Sequence, residues 1–249
     1  MSIKQKFILI RKKPIFLKNL LLLKKTKGGR NWSGKIVMRH RGSRIKKKFR
    51  IIDFHRALWH IPAFLICFNY DPNRSTLIAL LYYSGGVGCY IIAVEGFHIG
   101  DIYMSGIKVK RKSGNCFPLK LINVGLKINN LEIKLNQGAV FLRSAGVFGK
   151  ILKKTNKFCL VRLRSGKTKK ISYFCIATLG VIMSFNYYLN RYKNAGWSRL
   201  KGFRPHVRGV AMNPVDHPYG GGEGKKSKKS ISMSPWGILI KGKKTRSKN

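Results

Sequence analysis

Leu77-Ile-Ala-Leu-Leu-Tyr-Tyr-Ser-Gly-Gly-Val-Gly-Cys-Tyr-Ile-Ile-Ala-Val94 carries no charge, yet Ser84, Gly85 and Gly86 break it at its centre. Adjacent glycines weaken a helix interior, and they supply the positive φ that a tight hairpin needs. The stretch is therefore read as two buried strands, Leu77 to Tyr83 and Gly88 to Val94, around a Ser-Gly-Gly tip. Upstream, Tyr70-Asp-Pro-Asn-Arg-Ser75 is a turn, with Pro72 at its second position between Asp71 and Asn73. Lys35-Ile-Val-Met38 alternates weakly and Phe49-Arg-Ile-Ile-Asp-Phe54 alternates well, so both are expected as strands. Between them lies Arg39-His-Arg-Gly-Ser-Arg-Ile-Lys-Lys-Lys48, a basic loop interrupted by glycine. Glu95-Gly-Phe-His-Ile-Gly-Asp101 closes the block. Several short strands with regular turns and one basic face suit a small barrel of the OB type.

A second block begins near Ser113. Leu119 to Val124, Glu132 to Leu135, Lys157 to Leu163 and Lys169 to Ala177 alternate or run apolar, with Gly or Asn turns between them. Leu163-Arg-Ser-Gly-Lys-Thr168 is the clearest hairpin. Gly138-Ala to Ser144-Ala-Gly is rich in small residues, which lets backbone lie close to another surface. The block reads as a second small barrel, of the SH3-like kind. From about Asn194 periodicity is lost. The expected organisation is a basic arm over 1–32, an OB-type barrel over 33–112, an SH3-like barrel over 113–193 and an extended basic tail over 194–249. The fold class is mainly β.

Charge is the anomaly of the composition. Fifty-two Lys and Arg face seven Asp and Glu, for a net charge of +45 and an isoelectric point near 10.7. A hydrophobic fraction of 44% still provides for a core. Such a chain repels itself when compact and needs a polyanion, with nucleic acid the default. Binding should then weaken with salt by a log–log slope of roughly −0.7 to −0.9 per phosphate contact. The five cysteines, Cys67, Cys89, Cys116, Cys159 and Cys175, form no Cys-x-x-Cys pair and no zinc spacing. They read as small buried residues in a reducing compartment. No secretory signal is recognisable, and Lys, Ile, Asn and Phe usage suits an A+T-rich organellar genome.

The run Arg204-Pro-His-Val-Arg-Gly-Val-Ala-Met-Asn-Pro-Val-Asp-His-Pro-Tyr-Gly-Gly-Gly-Glu-Gly224 has neither helical nor strand periodicity. Pro205, Pro214 and Pro218 stiffen it, and Gly220, Gly221 and Gly222 leave backbone bare for close approach. Arg204, His206, Arg208 and Asn213 supply donors for phosphates and base edges. The run resembles the C-terminal signature of the second protein of the large ribosomal subunit, in its bacterial and organellar form. Ser234-Pro-Trp-Gly and Lys241-Gly-Lys-Lys-Thr-Arg continue it. In one register the resemblance also takes in Gly29-Arg-Asn, Arg39-His-Arg-Gly, Arg50-Ile-Ile-Asp-Phe, Tyr70-Asp-Pro-Asn-Arg-Ser and Tyr90-Ile-Ile-Ala. In the second half it takes in Arg143-Ser-Ala-Gly, Leu163-Arg-Ser-Gly and Ala177-Thr-Leu-Gly. Each motif alone is weak; their shared order is specific.

The resemblance implies an OB-type barrel, an SH3-like barrel and extensions that thread into large-subunit rRNA. It implies neighbouring ribosomal proteins and the small subunit, across a bridge, as further partners. It also implies a tail that approaches the peptidyl transferase region and supports tRNA placement. The expected rRNA contacts are Arg39, His40, Arg41, Arg44, Lys46, Lys47, Lys48, Arg50 and Arg74 in the first half. Arg143, Arg162 and Arg164 are expected from the second barrel, and Arg204, His206, Arg208 and Asn213 from the tail, with Lys243, Lys244 and Arg246 as its distal clamp. Asp216, His217, Gly220, Gly221 and Gly222 are expected to support the peptidyl transferase region. There Asp216 would fix the His217 tautomer or pair with a base or an arginine. The family usually has histidine where Tyr219 stands, which weakens any two-histidine mechanism. It also shows Gly-Gly-Gly-His where this chain has Gly42-Ser-Arg-Ile.

Competing motifs fail on spacing. Gly224-Lys-Lys-Ser has Tyr219 where a phosphate loop needs its first glycine, and Lys226 where it needs Ser or Thr. Ser165-Gly-Lys-Thr has Val161 at the leading position. Asp216-His217 has no nucleophile to pair with. No enzyme activity, no cofactor and no magnesium beyond that held by rRNA is expected. The alternatives are a non-ribosomal RNA-binding protein and a basic membrane-associated protein. The uncharged stretch between Lys170 and Arg191 is long enough to span a bilayer, but Gly180 and Asn186 interrupt it, and stable insertion is not expected. The expected location is the mitochondrial matrix, with plastid or bacterial cytoplasm as alternatives.

Overall fold

Ile78, Leu80, Tyr90 and Ile92 face one hydrophobic cluster, and the alternating Ala79, Leu81, Ile91 and Ala93 face another. A strand buried on both faces has no polar side to show, which is why Leu77–Val94 reads as one apolar run. The computed structural model describes residues 17–23, 26–42, 45–190, 194–223 and 231–242. It is mainly β, with one six-residue α-helix, Ala195–Leu200, among the described residues. The chain divides into two compact units, Met1–Lys25 with Lys46–Arg191, and Thr26–Ile45 with Tyr192–Asn249.

In the first unit the strands β1 (Leu21–Leu23) and β2 (Lys48–Arg50) form an antiparallel ribbon. β3 (Ala63–Asn69), β4 (Ile78–Tyr83), β5 (Gly88–Ile92) and β6 (Ile102–Tyr103) form an antiparallel sheet in the order β5-β4-β3-β6. The β4–β5 hairpin is closed by the Tyr83 amide on the Val87 carbonyl at 3.0 Å, with Gly86 at φ +79 supplying the reversal. The strand expected over Phe49–Phe54 ends at Arg50. Beyond it the Asp53 amide bonds the Tyr90 carbonyl at 2.8 Å, and its carboxylate accepts the amides of His55 and Arg56. A backbone recruited into a carboxylate-capped turn cannot continue a ladder.

The second sheet runs β13-β12-β11-β8-β14-β7. Its strands are β7 (Cys116–Pro118), β8 (Lys127–Asn129), β11 (Gly149–Lys154), β12 (Phe158–Arg162), β13 (Thr168–Ser172) and β14 (Ile176–Leu179). β9 (Leu131–Glu132) and β10 (Ala139–Phe141) pair separately. Leu119, Ile122, Ile128, Leu131, Ile151, Val161 and Ala177 fill its core. The hairpin expected at Leu163–Thr168 is present, with the Leu163 amide on the Lys167 carbonyl and Gly166 at φ +82. The strand expected over Lys169–Ala177 is two strands, parted at Tyr173–Cys175. There the carbonyls of Tyr173 and Cys175 accept the amides of Lys120 and Leu119, which also folds Leu119–Leu121 into a 3-10 turn in place of the expected strand.

No disulfide joins the five cysteines, and Cys116, Cys159 and Cys175 are buried. Burial pushes the Cys116 and Cys175 thiols up to about 11. No helix among the described residues is long and apolar enough to cross a membrane. The uncharged stretch after Lys170 is strand, turn and a 3-10 turn at Phe185–Leu189.

Candidate nucleic-acid interface

On the second barrel the strand register aligns cations. Lys150 lies opposite Arg162 across β11–β12, and Arg162 opposite Thr168 across β12–β13. A bulge between Ile151 and Lys153 resets the pleat, so Lys153 faces Leu160, which faces Lys170. Ile151, Cys159 and Val161 point inward and are buried, while Lys150, Lys153, Arg162 and Lys170 are exposed. Like charges directly opposite on a sheet are unfavourable without a counter-charge. The expected Arg162 is thus one member of a cationic face, with Arg164 exposed on the adjoining turn. Lys150, Lys153 and Lys170 were not singled out from the sequence. Strand parity would have found them had the bulge been visible.

The neighbouring edge of this barrel holds a depression lined by Lys120, Lys154, Thr155, Asn156, Cys159 and Tyr173. Lys154 Nζ donates to the Lys120 carbonyl at 2.7 Å, and burial holds its pKa below the ordinary lysine value. Lys120 Nζ stands over the Tyr173 ring at 5.5 Å. Arg143 is exposed, with its guanidinium over Phe54 at 4.9 Å and Nη1 donating to the Ala139 carbonyl.

On the first barrel the arginines divide by partner. Asp71 is fully buried; Arg74 Nε donates to its Oδ2 at 2.6 Å and Arg50 Nη1 stands 3.8 Å from its Oδ1. The Arg74 guanidinium also lies near Phe49 and Phe54, at 5.9 and 5.8 Å. Arg50 and Arg74 therefore neutralise a buried carboxylate within the Tyr70–Ser75 turn. Lys46 and Lys48 are exposed, and Lys47 Nζ donates to the Pro72 carbonyl at 3.3 Å.

The second unit joins two segments far apart in sequence. Arg41 bridges Phe203, the Gly42 amide bonds the Gly202 carbonyl at 3.1 Å, and the Arg204 amide bonds the His40 carbonyl at 3.1 Å. The rings of His40 and His206 meet with centroids 4.4 Å apart. The Arg41 guanidinium covers the Phe203 ring at 4.2 Å, and that of Arg39 covers Trp236 at 5.7 Å. Arg39, Arg204, His206, Arg208 and Asn213 are exposed. Arg44, Lys243, Lys244 and Arg246 lie outside the described residues.

Further along, the tail folds on itself. The Asn213 carbonyl accepts the amides of Asp216 and His217, the His217 carbonyl accepts Gly220, and the Met212 carbonyl accepts Gly221. A Cβ on Gly220 would stand 2.2 Å from the Asn213 carbonyl oxygen, so only glycine fits. Gly221 and Gly222 take φ +77 and +85, where a side chain is strained. His217 is buried, its ring flat against Gly209, where a Cβ would come within 2.6 Å. Its Nδ1 accepts the Tyr219 amide at 3.1 Å, so the neutral ring carries its proton on Nε2. Asp216 is exposed and no bond joins it to the imidazole, so the tautomer is fixed by the Tyr219 amide, not by Asp216. The Tyr219 hydroxyl donates to the Ile231 carbonyl and accepts the Met233 amide at 2.6 Å. These bonds tie down a small hairpin, in which Met233 bridges Leu239 and Ser234 caps the turn at Trp236 and Gly237. Among the described residues, no three His, Cys, Asp or Glu side chains gather as a metal ion would require.

A tail knotted by glycine and proline with donors facing out, and a sheet of the second barrel with a cationic face, are in keeping with what the sequence resemblance implied. The family model described as Ribosomal Proteins L2, RNA binding N-terminal domain, matches residues 17–105, and that described as Ribosomal Proteins L2, C-terminal domain, matches residues 112–237. The chain belongs to the ribosomal protein L2 family. The first match takes in β1 to β6 and the second β7 to β14, consistent with the OB-type and SH3-like barrels. The chain is 46% identical over 232 residues to the large ribosomal subunit protein uL2 of Ehrlichia ruminantium (strain Gardel), covering 93% of this chain and 84% of that one. It is 47% identical over 227 residues to the large ribosomal subunit protein uL2 of Buchnera aphidicola subsp. Cinara cedri (strain Cc), covering 91% and 83%. Ribosomal protein L2 relatives of bacterial type are thus similar to it across both barrels and most of the tail.

Proposed function

We propose that this chain is a structural constituent of the large ribosomal subunit that binds its rRNA through both barrels and the folded tail. The observation that carries the reading is the tail itself. Backbone bonds and glycines hold Met212 to Gly221. The Arg204 amide is bonded to the His40 carbonyl and the Arg208 carbonyl to the Ala211 amide, while the side chains of Arg204, His206, Arg208 and Asn213 are exposed and donate no hydrogen bond among the described residues. Donors on a rigid frame meet phosphates and base edges with little ordering cost. The cationic sheet face adds contacts to folded RNA that depend on shape and charge. In this reading His217 positions the tail near the peptidyl transferase region and no side chain takes part in a reaction. Support of tRNA placement, contact with neighbouring ribosomal proteins and a bridge to the small subunit belong to the same proposal. So does residence in a mitochondrial ribosome, which the A+T-type residue usage favours.

Sedimentation tests it. An organelle lysate is run on a sucrose gradient, with and without magnesium and at high salt, and blotted for the chain. Co-sedimentation with the large subunit through a moderate salt wash is expected. Migration at the top of the gradient, or with membranes, would overturn the reading.

A further inference from the structure

Gly29 to Met38 form a finger whose apolar side chains are each more than half exposed. The Gly29 carbonyl accepts two amides, those of Val37 and Met38, each at 3.0 Å, and Arg30 bridges Ile36 across the finger. The tip is held by Asn31. Its amide bonds the Lys35 carbonyl at 3.0 Å, while its Oδ1 accepts the Lys35 amide at 3.0 Å and the Ser33 hydroxyl at 2.8 Å. Gly34, at φ +79, completes the reversal. The indole of Trp32 at this tip is 93% exposed. Among the described residues no ring and no cation lies against it, unlike Trp236 under Arg39. Ile36, Val37 and Met38 behind it are 60%, 73% and 53% exposed. A rigid tip that offers a whole indole to solvent is shaped for a partner surface, since its rotamer cost alone is small on binding.

We infer that Trp32 is a stacking platform for an unpaired nucleobase of the RNA this chain binds. Arg30 and Lys35, two residues before Trp32 and three after it in the chain, are both exposed, so the indole stands on a basic segment. An uncovered flat ring on a basic segment suits a splayed base and the phosphates that flank it, the pattern of single-stranded RNA recognition. An apolar protein socket would have to take in those two charges without counter-charge, which is unfavourable. The inference rests on the rRNA reading above and adds a base contact at a residue of the segment read from the sequence only as a basic arm.

The test is binding of the full chain to a transcript of its own large-subunit rRNA, measured across a salt series for wild type, Trp32→Ala, Trp32→Leu, Trp32→Phe and Lys35→Ala. Trp32 is exposed, so these variants should fold, which circular dichroism checks. Trp32→Ala and Trp32→Leu are both expected to weaken binding about tenfold with an unchanged salt slope, while Trp32→Phe stays within about two-fold. Lys35→Ala should flatten the slope by about one unit. Wild-type affinity in Trp32→Ala would overturn the stacking site. Full rescue by leucine would do the same, because a side chain without a π face cannot stack on a base. Failure of the wild type itself to bind the transcript would take the rRNA reading down as well, so the two failures are separable.

Discussion

The backbone amide of Tyr219 donates to Nδ1 of His217 at 3.1 Å, and the two rings lie tilted with centroids 5.0 Å apart. This bond makes the imidazole both a packing element against Gly209 and a ring with one defined donor, Nε2. The two roles separate by substitution. His217→Asn keeps an acceptor near the Nδ1 position and removes the Nε2 donor. It should enter the large subunit normally but slow peptide-bond formation or weaken subunit joining. His217→Ala also leaves the Tyr219 amide without its partner, at about 1–3 kcal/mol, and should reduce incorporation too. Normal peptide-bond formation and joining with His217→Asn would reduce the ring to packing alone.

Gly220→Ala should be far more damaging than its size suggests. The new methyl would meet the Asn213 carbonyl oxygen at 2.2 Å, and that carbonyl is already fixed by two amides. Gradient incorporation of the variant is expected to fall to near zero. Gly166→Ala is the control. It carries a φ strain of about 1 kcal/mol at φ +82, which Gly220 does not, but has nothing within 4 Å, and it should incorporate normally. Equal behaviour of the two would show that the tail's turn is not needed in place.

How much of this was readable beforehand depended on how local the cause was. The β4–β5 hairpin was legible because both its signals, paired glycines and unbroken apolar flanks, lie within the stretch itself. Leu163–Thr168 was legible for the same reason. The break at Tyr173–Cys175 was not, because carbonyls there are claimed by amides of Leu119 and Lys120, more than fifty residues away by numbering. Lys35–Met38 alternates like a strand, yet two of its amides converge on one carbonyl of Gly29 and no ladder forms. At the site, residue type revealed the donors but not their partners. Arg74 reads like any RNA-facing arginine until Asp71 is seen buried beneath it, and Asp216 reads like a histidine's partner until the Tyr219 amide takes that place.

Tyr219 itself separates two readings of its position. Its hydroxyl joins the Ile231 carbonyl and the Met233 amide, two groups that a phenylalanine would leave unpaired. Tyr219→Phe should therefore loosen the hairpin that carries Trp236 while leaving the His217 contact, which uses the Tyr219 backbone. Hydrogen exchange should rise at Met233 and stay unchanged at Gly220. Unchanged exchange at Met233 would mean that the hydroxyl's bonds contribute nothing to holding the hairpin.

Asp71→Asn should unfold the first barrel more readily than any other single loss of an acid in that block. The carboxylate is fully buried and answers Arg74 at 2.6 Å and Arg50 at 3.8 Å; without it the mostly buried Arg74 guanidinium loses the counter-charge beside it. Removing one side of a buried ion pair costs about 3–5 kcal/mol. Asp101→Asn is the comparison: its pairing with Lys112 at 2.9 Å is open to solvent on both sides where Asp71 is not, and its effect should be much smaller. Urea midpoints of the two variants decide it. An equal, small shift in both would mean that Arg50 and Arg74 are held by something other than Asp71.

Alkali should weaken the second barrel through its buried thiols. Burial is the main cause that pushes Cys116 from the usual 9.0 up to about 11, with the nearby Arg56 guanidinium opposing it. The folded state therefore resists forming the thiolate that the unfolded chain forms readily. The stabilising contribution is complete below 9.0 and is lost as pH rises through that value toward about 11. Cys116→Ala removes this titration, so its urea midpoint should fall less steeply than that of wild type across the same window, whatever its starting level. Iodoacetamide should leave Cys116 unmodified in the folded chain at neutral pH and label it once urea is added. Labelling of the folded chain at neutral pH would show that the β7–β14 edge opens far more often than its pairing implies.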